Sequence, residues 1–188
     1  MDREVGHLPF SVKDEIASLK WVKIVTVGNP GVGKTCIIKH FCEDRFTPSY
    51  QATVGVDYGF KIQAVGEVEV RVHLWDMSGH SDYSEVRSEL YVDSQACLLV
   101  YDVTNKASFD NLDYWLKEIT HFTTEPVDIV IVANKVDVKT KKAIPKEEGA
   151  KWAQSRNLRF FETSSLSGHG IQSLFQEVLK TVLQRYDT

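Results

Sequence analysis

A chain of 188 residues has the length of one domain, and with 43% apolar residues it can build a core without a metal or disulfide staple. Twenty-two basic against twenty-six acidic residues leave a net charge of −4, which argues against a broad phosphate-neutralising surface and so against nucleic acid as the main partner. The cysteines Cys36, Cys42 and Cys97 are odd in number and lack C-x-x-C spacing, so they read as packing residues of a reduced, intracellular protein, cytoplasmic or nuclear.

Residues 1–19 read as an N-terminal extension ahead of a domain at 20–186. The extension mixes Asp2, Arg3, Glu4, His7, Asp14 and Glu15 with scattered apolar residues, so it is no signal peptide, and it allows a short helix around Val12–Leu19. Trp21–Val27 is β-branched and ends at a Gly-Pro turn, which predicts a strand. Ile37, Ile38 and Phe41 give helical spacing to Lys34–Phe41, after which Glu43–Gly55 has no period and is expected to be a functional loop. Phe60–Val65 and Val68–Trp75 alternate about Gly66-Glu67 and predict a hairpin; Asp82–Tyr91 is weakly helical.

Ala96–Tyr101 is continuously apolar, as in strands covered on both faces, and Phe109, Leu112, Trp115, Leu116 and Ile119 give the following segment a helical face. The unit repeats as strand Asp128–Ala133, helix Lys146–Gln154, strand Arg159–Thr163 and helix Ile171–Arg185. Strand alternating with helix implies an α/β fold, a mostly parallel sheet with helices on both faces and ligands at the strands' carboxyl ends. No apolar run is long enough to span a membrane. Asp2 stands where myristoylation needs Gly and no cysteine lies at the C-terminus, so no lipid anchor is expected.

Gly28-Asn29-Pro30-Gly31-Val32-Gly33-Lys34-Thr35 satisfies G-x-x-x-x-G-K-[ST] between a predicted strand and a predicted helix. In such a loop the backbone N–H groups turn inward to phosphate oxygens, Lys34 reaches the β- and γ-phosphates and the Thr35 hydroxyl binds Mg²⁺. Asp76-Met77-Ser78-Gly79 closes the third strand beside it, placing Asp76 for a water-mediated Mg²⁺ role. Asn134-Lys135-Val136-Asp137 ends the fifth strand, where a carboxylate can accept from N1–H and N2–H₂ of guanine, a donor pair that adenine lacks.

These three motifs in this order resemble the Ras-like small GTPases, and more closely their Rab branch, over about Lys20–Arg185. The resemblance implies the Ras-like form of the P-loop NTPase fold, with six strands, binding GTP or GDP with Mg²⁺. It assigns Phe46 to the guanine edge, Tyr50 to closure over the phosphates, and Thr53-Val54-Gly55 to a first switch whose Thr binds Mg²⁺ and whose Gly backbone meets the γ-phosphate. It adds Cys36 beside the phosphate loop and Gly79 to the second switch, and gives Ser164, Ser165 and Leu166 to the loop that recognises the guanine carbonyl, with Ser165 and Leu166 replacing the usual Ala and Lys. Residues near Phe46–Gly55 and Gly79–Tyr91 are expected to rearrange when the γ-phosphate leaves. A monomer partnered by effectors at the switches and by an exchange factor is implied.

Two departures bear on hydrolysis. His80 stands where the family's water-orienting Gln is expected, and Pro30 occupies a phosphate-loop position usually held by a small residue, where an arginine finger would approach. Asp76-Met77-Ser78-Gly79-His80, Cys36-Ile37-Ile38-Lys39 and Gly55–Gly59 resemble the RJL (Rab-like) lineage, without a J domain in this sequence. The expected activity is a slow GTPase with Lys34, Gly79 and His80 in the catalytic roles; the alternative is a GTP-bound interaction module that scarcely turns over. A P-loop kinase would want an arginine-rich lid, and the sequence offers none. Lys139, Lys141 and Lys142 read as a solvated charge run, Trp115 and Trp152 as core, Trp75 as core or effector surface, and His73 as an exposed strand residue.

Overall fold

The computed structural model describes residues 19–46, 51–140 and 142–186. Chain order runs β1 (Lys20–Val27), α1 (Lys34–Glu43), β2 (Val56–Val65), β3 (Val68–Met77), a 3₁₀ turn at Ser81–Tyr83, α2 (Ser84–Leu90) and β4 (Ala96–Asp102). It continues through α3 (Lys106–Asp110), α4 (Leu112–Phe122), β5 (Asp128–Asn134), α5 (Lys146–Gln154), β6 (Arg159–Glu162) and α6 (Ile171–Tyr186). The strands form one six-stranded sheet in the order β2-β3-β1-β4-β5-β6, with β2 antiparallel to β3 and every other pairing parallel. This is the doubly wound α/β sheet that the strand–helix alternation predicts.

Alternation along β1 divides the core. Val22 and Ile24 face α1 and α6, where they join Ile37, Phe41, Phe175 and Val178, and the Phe41 and Phe175 rings stack 3.8 Å apart. Val25 and Val27 face the other way, into a cluster with Met77, Cys97, Leu112, Trp115 and Ile119. Both faces of the sheet centre are therefore dry, and the loops at the carboxyl ends of β1, β3, β5 and β6 are left to form the site.

Three expectations need adjustment. The hairpin is longer than its alternation suggests, beginning at Val56 and ending at Met77, because antiparallel pairing continues through Gly59 and Trp75. The helix expected after β4 is two helices, interrupted at Asn111, where φ −84° and ψ 0° leave the regular helical path. His73 is half-buried, with Trp21, Tyr58 and Phe60 packed around its ring and Tyr58 Oη 2.7 Å from its Nδ1. The helix expected at Val12–Leu19 lies outside the described residues except for Leu19, a bend. Tyr50 and Lys141 also lie outside them. Among the described residues no helix is long and apolar enough to cross a membrane.

Candidate functional site

The turn between β1 and α1 is built on glycine. Gly31 and Gly33 take φ +77° and +98°, and a Cβ on Gly33 would stand 2.3 Å from Asn134 Nδ2, so this backbone needs both the left-handed geometry and the missing side chain. Gly33 leads directly into α1, so the first N–H groups of the helix open toward a cleft of about 420 Å³. Pro30, Gly31, Gly33, Lys34, Thr35 and Cys36 line the cleft, and so do Phe46, Thr53, Gly79, His80, Asp137, Ser165 and Leu166.

Lys34 is 6% exposed, and its Nζ donates to the carbonyls of Gly28 and Asn29 at 2.8 and 2.9 Å. Burial lowers its pKa to about 8 against the nearby Asp76, which raises it. The ammonium is thus held over the turn in a site that favours an added negative charge. The Val32 side chain is buried in the core, and its carbonyl accepts from Asn134 Nδ2 at 2.9 Å.

Thr35, Thr53 and Asp76 converge from α1, the loop before β2 and the end of β3. Thr35 Oγ1 donates to Asp76 Oδ2 at 2.5 Å and lies 3.0 Å from Thr53 Oγ1, which is 3.2 Å from the same carboxylate oxygen. Asp76 is 2% exposed, its Oδ1 is buried without a protein partner, and burial raises its pKa against the pull of Thr35 and Lys34. Two hydroxyls and one carboxylate are hard oxygen donors of the kind Mg²⁺ accepts alongside phosphate oxygens, and the orphaned Oδ1 is an acceptor in want of a cation or water. Among the described residues no group of three or more His, Cys, Asp or Glu could hold a metal, so any metal here would depend on hydroxyls and ligand oxygens.

The opposite end is made by the loops after β5 and β6. Asn134 is fully buried and its amide is spent on protein: besides Val32 it meets Ser165 Oγ, while its Oδ1 accepts from Thr163 Oγ1 at 3.1 Å and Ser165 N at 3.3 Å. It joins the glycine turn to the β6 loop. Lys135, at φ +66°, lays its chain over the turn, donating to the Gly31 carbonyl at 2.8 Å and pairing with Asp102 at 2.6 Å. Asp137 accepts from Ser164 Oγ at 2.6 Å through Oδ1, and Leu166 is 56% exposed beside it.

Several residues at the site were not legible in the sequence. Arg87 is 1% exposed and paired with Glu118, and its guanidinium also reaches the carbonyls of Ser78 and His80. Trp115 is core, as its spacing predicts, but its Nε1 also donates to Asn29 Oδ1 at 2.8 Å. Lys39, Gln51, Ala52 and Val138 line the cleft as well. No periodicity marks such residues, since their partners lie far along the chain.

A family model described as Ras family matches residues 23–184. The chain belongs to the Ras family. Proteins named DnaJ homolog subfamily C member 27 are similar to it: that of Danio rerio is 45% identical over 166 residues, covering 86% of this chain and 61% of that protein. The Rattus norvegicus protein is 43% identical over 176 residues (91% and 64%), and the Homo sapiens protein 44% over 160 residues (82% and 59%). The chain therefore spans less than two thirds of the length of these relatives. Ras-family membership makes this a domain of the GTP-binding small-GTPase kind.

Proposed function

We propose that the domain at 20–186 is a Mg²⁺-dependent guanine-nucleotide switch of the Rab-like RJL lineage that hydrolyses GTP slowly. The observation that carries this reading is one cleft with a phosphate-cradling turn at one end and a fixed carboxylate, Asp137, at the other. Lys34 and the backbone N–H groups of Asn29 and of Gly31 to Cys36 hold the phosphates, Pro30 shaping the turn without an N–H of its own; Thr35 and Thr53 would hold Mg²⁺ through their hydroxyls and Asp76 through water. When bound, Mg²⁺ neutralises charge on the β- and γ-phosphates. Asp137 accepts from the guanine edge, Phe46 and Leu166 cover the base, and the N–H groups near Ser164 and Ser165 meet its carbonyl. Lys135 lies along the base, and Tyr50 closes over the phosphates. Asn134 acts by holding the two halves together.

In the reaction, water attacks the γ-phosphorus in line and the bond to the β-phosphate oxygen breaks, giving GDP and phosphate. Lys34 takes up the developing charge, the Gly79 backbone meets the γ-phosphate, and His80 orients the water. Its rigid ring separates donor from acceptor differently from an amide, so alignment is poorer than with Gln. Single-turnover hydrolysis is expected to rise in His80→Gln; an ordinary small-GTPase rate in the parent, unchanged by the substitution, would contradict slow turnover. Effectors at residues 46–55 and the exposed part of 79–91, an exchange factor, and a monomeric state in the cytoplasm or nucleus belong to the same proposal.

The metal assignment has its own test. Thr35→Asn is expected to weaken GTP more than GDP when both are titrated in Mg²⁺, because the cation tolerates a displaced inner ligand poorly. Equal loss for the two nucleotides, or none, would remove Thr35 from the metal site. The function as a whole is tested by denaturing protein purified from cells and separating what it releases. GDP or GTP supports it; adenine nucleotide contradicts it.

A further inference from the structure

Asn29, the second residue of the glycine turn, is gripped at both ends. Its carbonyl accepts from Lys34 Nζ at 2.9 Å, within the turn itself. Its side-chain Oδ1 accepts from Trp115 Nε1 at 2.8 Å and from Asn111 Nδ2 at 3.2 Å, donors that lie 86 and 82 positions along the chain. An amide oxygen offers two lone pairs, and both are taken. The two donors share one helical face, since Trp115 follows Asn111 by one turn and its N–H bonds the Asn111 carbonyl at 3.1 Å.

The anchor is stiff where it matters. Trp115 is 3% exposed and packs in the cluster that holds Val27, Leu112 and Ile119, so the indole and the last residue of β1 share one core. A buried indole has a single N–H to place, and here it is spent on Asn29. Asn111 is exposed, and its bond competes with water. On either side of Asn29 the backbone has little freedom. A Cβ on Gly28 would stand 2.1 Å from the Val100 carbonyl oxygen, so that residue rests on β4, and Pro30 has a fixed φ and no N–H. The Asn29 side chain is the handle left to orient the turn.

We infer that Trp115, with Asn111 in support, aims the phosphate-cradling turn through Asn29 and so sets how long a bound nucleotide stays. Both are positioning residues outside the cleft. Without them the turn keeps every phosphate donor, but the carbonyl that steadies Lys34 and the N–H groups that follow Pro30 lose their fixed direction. Poorer alignment of unchanged groups shows in the rate of release more than in the rate of capture. The effect on nucleotide rests on the reading of this cleft as a guanine-nucleotide site; the anchoring of the turn does not.

Release of a fluorescent GDP from the full chain in Mg²⁺ tests this. Asn29→Ala, and Trp115→Phe, which keeps an aromatic ring in the core and removes the donor, are each expected to raise the dissociation rate about fivefold to tenfold, and Asn111→Ala about twofold, as suits the loss of neutral hydrogen bonds. The double variant Asn29→Ala, Trp115→Phe should release GDP no faster than Asn29→Ala alone. Effects that multiply would mean that Trp115 acts only through the core, and they overturn the inference, as do single variants that release GDP at the parent's rate. A second readout needs no nucleotide. In the free protein the Trp115 indole N–H resonance, identified by its loss in Trp115→Phe, should exchange with deuterium about tenfold faster in Asn29→Ala, and peptides covering 28–36 should quicken with it. Unchanged exchange at both places overturns the anchor. If the parent binds no guanine nucleotide, the functional reading falls, and exchange in the free protein alone decides the anchor.

Discussion

Lys34→Met is expected to lower GTP affinity by roughly 10² to 10⁴, because charge-assisted hydrogen bonds to phosphate are worth about 1.5 to 3 kcal/mol each and Lys34 is placed to reach two phosphates. Folding should scarcely notice. Burial moves the Lys34 pKa from 10.5 to about 8, a penalty of about 3 kcal/mol on the folded nucleotide-free protein. The substitution relieves that penalty and forfeits the hydrogen bonds to the Gly28 and Asn29 carbonyls, a loss of similar size. Thermal unfolding without nucleotide should therefore shift by no more than a few degrees, and a large fall would mean that Lys34 serves chiefly as a structural clip.

The same residue gives a pH signature. The folded free protein holds the Lys34 proton less tightly than the unfolded chain does, so the folding penalty is complete below about pH 8 and is relieved as pH rises toward 10.5. Bound phosphates reverse the preference by stabilising the ammonium, and binding above pH 8 then takes up a proton. GDP affinity is expected to drop roughly fivefold between pH 8 and 9, with no such slope in Lys34→Met.

Asp137→Asn is the second large effect: GTP should weaken by about 10² to 10³ while xanthosine triphosphate improves over its affinity for the parent. The geometry gives the reason. Ser164 Oγ donates to Asp137 Oδ1 at 2.6 Å, so an amide at this position would keep its oxygen toward Ser164 and turn its NH₂ to the base. That donor suits the extra carbonyl of xanthine and opposes the N–H groups of guanine. Competition titrations against a fluorescent nucleotide check both halves, and unchanged selectivity would take Asp137 out of base recognition.

Sheet and helices were legible because apolar alternation in β1 and the continuous run in β4 report directly on which faces are covered. The motifs were legible because glycine geometry and strand-end carboxylates are local in sequence. What the sequence could not show is where side chains find distant partners. Nothing local to the N-K-x-D motif shows that the Asn134 amide bonds Val32, Thr163 and Ser165. Arg87 sits in a weakly helical, outwardly polar segment, and only the fold brings Glu118 to it from 31 positions away. His73 alternates as an exposed strand residue should, but the unmatched aromatics Trp21 and Phe60 surround it from two other strands.

The most direct test of a guanine-specific switch is displacement of a fluorescent GDP from the full chain by GTP, GDP and ATP, each with and without Mg²⁺. The account predicts that GTP and GDP compete at low concentration, that removing Mg²⁺ weakens GTP the more, and that ATP fails to compete at a thousandfold excess. Competition by ATP as strong as by GTP would contradict it.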